Sequence, residues 1–207
     1  MALLQTRGLT RRFGGLTALD RVDLALGAGE ILGVIGPNGA GKTTLFSLIA
    51  GSLRPSAGEI LLDGRPVTRL AAHRRVRAGI VRTHQIVRPF ANLTVFENVL
   101  VAAMHAHGGA AGHARDRAAD VLELVGLADR YDQSPGSLTL AGRTRLELAR
   151  ALSTGPRVLL LDEVAGGLVE HETAALVELV KQVRASGVSI VWIEHIVHAL
   201  IAAVDRL

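Results

Sequence analysis

The sequence contains no cysteine among its 207 residues, which excludes disulfide bonds, thiolate metal sites and a cysteine nucleophile. Aromatic residues make up only 3% of the chain, so the core must be built from aliphatic side chains. No stretch reaches the ~18 uninterrupted apolar residues of a membrane span, and the N-terminal residues lack a secretory signal pattern. If the protein works at a membrane, we therefore expect it to dock on partners from a reducing, cytoplasmic side.

Basic charge is not concentrated in any one stretch of the chain. The formal net charge is +4, but the arginines are dispersed and no basic run is interleaved with aromatic residues. We therefore expect no nucleic-acid partner. The hydrophobic fraction of 49% and the chain length are sufficient for a full core in one domain or in two closely joined domains.

Apolar patterns typical of strands and helices alternate along most of the chain, which predicts an α/β fold. Strands are predicted at residues 3–5, 22–26, 31–35, 60–62, 79–83, 158–162 and 188–193. Helices are predicted at residues 42–50, 70–78, 95–105, 114–125, 140–152, 172–185 and 196–203. Because residues 94–152 contain helical patterns but no good strand, we expect a helical insertion there, within an α/β core of residues 1–93 and 153–207.

A glycine-rich loop lies between a predicted strand and a predicted helix, in the context that the phosphate-binding pattern G-x-x-x-x-G-K-[ST] requires. The pattern is fulfilled by Gly36, Pro37, Asn38, Gly39, Ala40, Gly41, Lys42 and Thr43, with Thr44 following. In such a loop the backbone N–H groups face phosphate oxygens, and the helix N-terminus adds positive potential. Lys42 would counter the charge of the β- and γ-phosphates of ATP, and Thr43 would ligate Mg²⁺. The alternative is a glycine-rich turn without a ligand.

Two adjacent carboxylates, Asp162 and Glu163, end an apolar strand pattern. The carboxyl ends of strands are where an α/β sheet presents side chains to ligands. Asp162 would hold Mg²⁺ through water, and Glu163 would polarise a water molecule toward the γ-phosphate. Without the glycine loop, the same pair would equally fit a helix N-cap with an acidic first turn.

The order of these motifs resembles that of the ABC ATPase family over nearly the whole chain. The glycine loop is followed by the strand that ends in Asp162 and Glu163, and later by a strand that ends before His195. The resemblance implies a P-loop NTPase core with an N-terminal antiparallel β portion and a helical insertion. It implies that His195 contacts the γ-phosphate, that Gln85 senses Mg²⁺ and the attacking water, and that Phe13 stacks on adenine. Outside this motif order, His195 would be a solvated residue and Phe13 a core residue.

The segment of residues 138–143 stands where the family has its LSGGQ signature. Thr139 keeps a hydroxyl where the family has serine, whereas Leu140 and Ala141 replace two glycines and Gly142 replaces glutamine. In the family this signature reaches across a head-to-tail dimer to the ATP of a second ATPase subunit. If φ must be positive at Ala141, the penalty is on the order of 1 kcal/mol, unless the loop shifts so that Gly142 takes the role.

Two further positions depart from the family pattern. Val164 stands where the family usually has proline, and Val169 stands where an Asn or Asp commonly links the two sites. Together with Leu140, Ala141 and the short C-terminus, Val169 leaves an alternative open, namely a nucleotide-binding module with weak or no hydrolysis. A second alternative is an ABC ATPase that acts outside transport. Because family members usually continue past the equivalent of residues 205–207, we also expect their C-terminal elements to be missing here.

Residues 82–100 and 145–152 look most like the ATPase subunits of branched-chain amino acid importers. This resemblance implies a peripheral position on the cytoplasmic face of the plasma membrane. It also implies transmembrane permease subunits, a second ATPase subunit and, indirectly, a solute-binding protein as partners. Because other subunits choose the solute, the expected cargo is a branched-chain amino acid or a similar small polar molecule.

Overall fold

The chain forms two four-stranded sheets surrounded by helices, and the computed structural model describes residues 2–83, 89–107 and 111–207. The strands are β1 (Ala2–Phe13), β2 (Leu16–Gly27), β3 (Ile31–Val34), β4 (Ala57–Leu62), β5 (Arg65–Pro66), β6 (Ile80–Arg82), β7 (Val158–Asp162) and β8 (Ser189–Ile193). The helices are α1 (Lys42–Ala50), α2 (Ala72–Arg77), α3 (Val95–His107), α4 (Ala111–Leu124), α5 (Leu140–Ser153), α6 (Glu170–Ala185) and α7 (Val197–Ala203). The predicted α/β class with an antiparallel N-terminal portion is confirmed.

The second sheet is parallel, in the order β3-β8-β7-β6. The predicted motifs lie at the carboxyl ends of its strands, with the glycine loop after β3, Asp162 at the end of β7 and His195 after β8. Every residue of β7 and β8 is buried, which explains their continuous apolar sequences, since such a sheet is covered on both faces. Asp162 is paired with Ile193, and Ile193 is also paired with Val34. The carboxyl ends of β3, β7 and β8 therefore lie side by side at one edge.

Side chains of the parallel sheet alternate between two hydrophobic cores, as the strand period of two requires. Leu161 and Trp192 belong to the core that includes α3, α4, α5 and α6. Leu160 and Ile193 belong to the core that includes α1 and the antiparallel sheet. The sheet thus lies between a helical layer and a layer formed by α1 and the N-terminal strands.

The antiparallel sheet, in the order β2-β1-β4-β5, contains a longer hairpin than the sequence predicts. β1 and β2 have 12 residues each, and Phe13 pairs with Leu16 across a two-residue turn at Gly14 and Gly15. Gly14 has a φ of 57°, which suits the turn. The pairing register shifts at several points, so apolar and polar residues do not alternate regularly. This is why the apolar pattern predicts only residues 3–5 and 22–26.

Helix positions follow the sequence closely. α1 has the predicted bounds, whereas α6 begins two residues before the predicted start at residue 172. α3, α4 and α5 pack on one another, and the division between residues 94–152 and the rest of the chain stays a prediction. No helix within residues 2–83, 89–107 and 111–207 is long and apolar enough to cross a membrane.

The carboxyl end of α1 is held by Arg75, whose side chain is 1% exposed. Its guanidinium donates to the carbonyl oxygens of Leu48, Ile49, Leu70 and Thr68. Burial lowers the pKa of Arg75 to about 10, so the group remains a cation at neutral pH. A cation at this end of a helix is favoured by the helix dipole. Arg75 therefore fixes the helix that begins at the glycine loop.

Candidate active site

The glycine loop, residues 36–43, connects the carboxyl end of β3 to the amino end of α1. Gly39 and Gly41 have φ values of 81° and 91°, in the region that favours glycine. A Cβ atom on Gly41 would lie 2.5 Å from the carbonyl oxygen of Ala18 in β2. Pro37, Asn38, Gly39 and Ala40 are exposed, so this part of the loop is open to solvent. The residues therefore fit a site at which N–H groups and a helix N-terminus receive phosphate oxygens.

Lys42 places its ammonium group inside the glycine loop. Its side-chain nitrogen donates to the carbonyl oxygens of Gly36 at 2.7 Å and Pro37 at 3.0 Å. Lys42 is only 9% exposed, and these carbonyls compensate its burial. Thr43 is exposed and Thr44 is half-buried at the start of α1. The loop thus holds one cation next to the helix terminus where an anionic ligand is favoured.

Asp162, at the end of β7, forms an ion pair that the sequence analysis did not predict. Its Oδ2 atom lies 2.5 Å from Nη2 of Arg82 at the end of β6, and the Asp162 side chain is 3% exposed. Nη1 of Arg82 donates to the hydroxyl of Ser47, which in turn donates to the carbonyl oxygen of Thr43. Asp162 is therefore linked through Arg82 and Ser47 to α1 and to the backbone of Thr43, one of its two predicted partners in holding Mg²⁺.

Glu163 and His195 lie next to each other across the edge of the sheet. Nε2 of His195 is 2.7 Å from Oε1 of Glu163, within hydrogen-bond distance. Glu163 has a φ of 51°, which is uncommon for a residue other than glycine. Its N–H donates to the carbonyl oxygen of Ile193 at 2.9 Å. The structure therefore brings together two residues that are 32 positions apart and that the motif order had singled out.

Phe13 lies at the tip of the β1–β2 hairpin and is 43% exposed. The guanidinium carbon of Arg11 lies 4.4 Å from the centre of the Phe13 ring. Ala18 and Leu19, on the same hairpin, contact the position that a side chain on Gly41 would take. Phe13 is therefore a surface residue of the hairpin that borders the glycine loop, and it is not a core residue.

The signature-like segment, residues 138–143, forms the start of α5. Thr139 is the N-cap residue, and its hydroxyl accepts the N–H of Gly142 at 3.2 Å. Leu140 and Ala141 lie in the first helical turn, and Ala141 is not among the residues with positive φ. The predicted strain at Ala141 is therefore absent. Gly142 likewise lies within the helix, and its role toward the nucleotide of a second subunit stays a prediction.

Two observations concern the loops that lead away from these motifs. Leu140 lies close to the loop after Glu163. A Cβ atom on Gly167, in that loop, would lie 3.0 Å from Cδ2 of Leu140. Val169 is the N-cap residue of α6 and has no side-chain oxygen to cap it. Gln85, predicted to sense Mg²⁺ and the attacking water, lies outside the described residues.

Arg82 and Glu194 are two residues of this site that the sequence motifs do not predict. Arg82 ends the strand beside β7, so an adjacent pair of strands ending in opposite charges was the available signal. Glu194 is 2% exposed, and its Oε1 atom accepts the N–H of Ala165 at 2.6 Å. A charged residue directly after a fully apolar strand was the signal in that case.

Comparison with known proteins gives consistent matches. The sequence model of the family described as "ABC transporter" matches residues 19–166. The high-affinity branched-chain amino acid transport ATP-binding protein BraF of Pseudomonas aeruginosa is 39% identical, over 99% of this chain and 86% of the relative. The corresponding protein LivG of Salmonella typhimurium is 40% identical with the same coverage. A crystal structure of an ATP-binding cassette of an ABC transporter in its ADP conformation has a TM-score of 0.89 and 28% identity, over 99% of this chain and 85% of that one.

Proposed function

The chain belongs to the ABC transporter family as an ATP-binding subunit that hydrolyses ATP, and from this premise we propose that it energises the import of branched-chain amino acids or a similar small polar solute. The observation that supports the solute class is the identity of 39% and 40% to two ATP-binding proteins named for that transport. The relatives do not favour the alternatives of a module with little hydrolysis or of an ATPase outside transport.

For the nucleotide, we assign binding to the glycine loop and its surroundings. The residues are Gly36, Pro37, Asn38, Gly39, Ala40, Gly41, Lys42, Thr43 and Thr44, with Phe13 stacking on the base. Thr43, Asp162 and Gln85 would hold Mg²⁺, which neutralises charge on the phosphate oxygens when it is bound. Lys42 already lies in the loop where that charge would arrive.

For hydrolysis, we assign the roles to Glu163 and His195. The Glu163 carboxylate would accept a hydrogen bond from a water molecule and polarise it toward the γ-phosphate. His195 would hold this carboxylate in place and contact the γ-phosphate. The distance of 2.7 Å between the two side chains supports this pairing. Such catalysis depends mainly on positioning and charge stabilisation, as in other phosphoryl transfers on glycine-loop folds.

The partners follow from the family. We propose that two ATPase subunits pair head to tail, so that Thr139, Ala141 and Gly142 of one subunit face the nucleotide of the other. Permease subunits would dock on this pair at the cytoplasmic face of the membrane, with Gln85 relaying the state of the site. A solute-binding protein would act indirectly through the permease. In this arrangement residues 94–152 form a helical subdomain and residues 1–93 and 153–207 form the nucleotide-binding core.

Steady-state ATP hydrolysis across a series of protein concentrations, with Mg²⁺ present, tests the dimeric mechanism. We expect activity to rise more than linearly with concentration, and to disappear in Lys42→Ala and Glu163→Gln. The matched controls are Lys181→Ala and Glu178→Gln, an exposed pair on α6. Activity that is strictly proportional to concentration, or that survives Glu163→Gln, would contradict the proposal.

The solute needs a separate measurement. The chain would be assembled in vesicles with candidate permease and solute-binding subunits. ATP-dependent uptake of labelled leucine, urea and ribose would then be compared. We expect uptake of leucine to exceed that of ribose and to require Lys42. Preferential uptake of ribose would overturn the proposed solute class.

A further inference from the structure

Glu194 is a buried carboxylate directly after β8. It is 2% exposed, and none of the basic side chains in the described part of the chain lies within ion-pair distance of it. Burying a carboxylate is costly unless hydrogen bonds compensate it. Here the compensation comes from two backbone N–H groups, those of Ala165 at 2.6 Å and His195 at 3.1 Å. Since an ionised carboxylate only accepts hydrogen bonds, Glu194 suits both donors.

These two donors belong to different loops. Ala165 follows Glu163 in the loop after β7, whereas His195 lies in the loop after β8. Backbone pairing of the strands ends where the N–H of Glu163 donates to the carbonyl oxygen of Ile193. Beyond that point, the Glu194 carboxylate provides the next connection between the two loops. It therefore links the two loops close to the point where Glu163 and His195 meet.

Glu163 itself requires such support. Its φ of 51° is a sparsely populated conformation, which persists only when surrounding contacts fix the backbone. Glu194 fixes the backbone two residues later, at Ala165, which is fully buried. The bond to Ala165 therefore restrains the turn that directs the Glu163 side chain toward His195.

From this geometry we propose that Glu194 is a positioning residue for hydrolysis. It joins the loops after β7 and β8 so that the side chains of Glu163 and His195 stay in contact. The inference rests on the proposed roles of Glu163 and His195. It predicts that Glu194 contributes to the hydrolytic step and not to nucleotide binding, because the glycine loop makes no hydrogen bond with Glu194 in the described residues.

The test compares Glu194→Ala, which removes both acceptors, with Glu194→Gln, which keeps one. We expect kcat for ATP to fall on the order of 10²-fold in Glu194→Ala and about tenfold in Glu194→Gln, since small displacements of reacting groups have effects of this size. The dissociation constant of a fluorescent ATP analogue should change by less than about threefold. The substitution leaves the interactions that bind the nucleotide equally in the ground state and the transition state unchanged. Glu178→Ala, on the exposed face of α6, is the matched control.

Folding is followed through Trp192, the single tryptophan, which is buried two residues before Glu194. Native Trp192 emission with lowered kcat and retained nucleotide binding supports the proposal. Equal loss of binding and kcat, no rescue by glutamine, or an unchanged kcat overturns it. Glu163→Gln is measured alongside. If that variant hydrolyses ATP normally, the proposed function fails. If Glu163→Gln is inactive but Glu194→Ala hydrolyses ATP normally, only the role of Glu194 fails.

Discussion

The edge of the parallel sheet and the start of α5 are built in different ways, although both are assigned to the same reaction. At the sheet edge, Asp162 contacts Arg82 from β6, and Glu163 contacts His195 from beyond β8. At the start of α5, Thr139 is bonded to Gly142, only three residues away. The first region depends on contacts between distant parts of the sequence, and the second depends on local contacts.

Substitutions in the two regions should therefore differ in the size of their effects. A change at the sheet edge alters the relative positions of several strands and loops. The effect of one substitution there therefore depends on the residues that contact it. A change at the start of α5 alters a single helix cap, whose free energy is small and local. The departures from the family signature fall in the second region, whereas Glu163 and His195, which we propose to act in hydrolysis, lie in the first. The structure thus agrees with an active ATPase despite an altered signature.

At the sheet edge, the effect expected for His195→Ala is second only to the loss of activity expected for Glu163→Gln. Removing the side chain that we propose positions the Glu163 carboxylate should lower kcat by about 10²- to 10³-fold, the range typical of such groups. The matched control is His198→Ala, an exposed histidine three residues later in α7. Both kcat values would be measured at saturating ATP. Equal activities of the two variants would show that the 2.7 Å contact does not matter for hydrolysis.

The next effect concerns the ion pair beneath this edge. Arg82→Met leaves the Asp162 carboxylate buried without its cation, and breaking such a pair from one side costs about 3 kcal/mol in the free energy of unfolding. Urea denaturation measures the loss, with Arg77→Met on the exposed side of α2 as the control. If Asp162 holds Mg²⁺, then Mg²⁺ with ATP should stabilise Arg82→Met more than the unchanged chain. Equal stabilisation of both proteins would contradict that role.

The same contrast explains how much of the molecule could be predicted from sequence. The glycine loop and the start of α5 are contiguous motifs. Helix α1 has its predicted bounds because glycine and apolar spacing act locally. The pairing of Arg82 with Asp162 joins residues 80 positions apart, so no local pattern reports it. In the sequence, Glu194 is only a polar residue at the end of a strand. Its hydrogen-bond partner Ala165 lies in a loop that begins 31 residues earlier at Glu163, so no local pattern indicates the contact. Charge at the ends of neighbouring strands was visible, but the strand order was not.

A smaller effect is expected at the start of α5. Thr139→Ala removes the oxygen that accepts the N–H of Gly142, which should lower the free energy of unfolding by about 1 kcal/mol. Thr139→Ser keeps the hydroxyl and should remain within a few tenths of a kcal/mol of the unchanged chain. The two variants would be compared by thermal unfolding. A loss as large as that of Arg82→Met would show that α5 depends on distant contacts, and would remove the contrast between the two regions.

The smallest expected effect has the opposite sign and lies between the two regions, at the start of α6. Val169 occupies the N-cap position with an extended backbone but offers no oxygen to the N–H groups of the first turn. Val169→Asp supplies that oxygen and should raise the free energy of unfolding by about 0.5–1 kcal/mol. Val169→Ala, which adds no acceptor, is the control for lost exposed apolar surface. If Val169→Asp raises the free energy of unfolding no more than Val169→Ala does, tertiary contacts and not a helix cap hold the loop after Glu163. The region that depends on contacts between distant parts of the sequence would then extend from the sheet edge to α6.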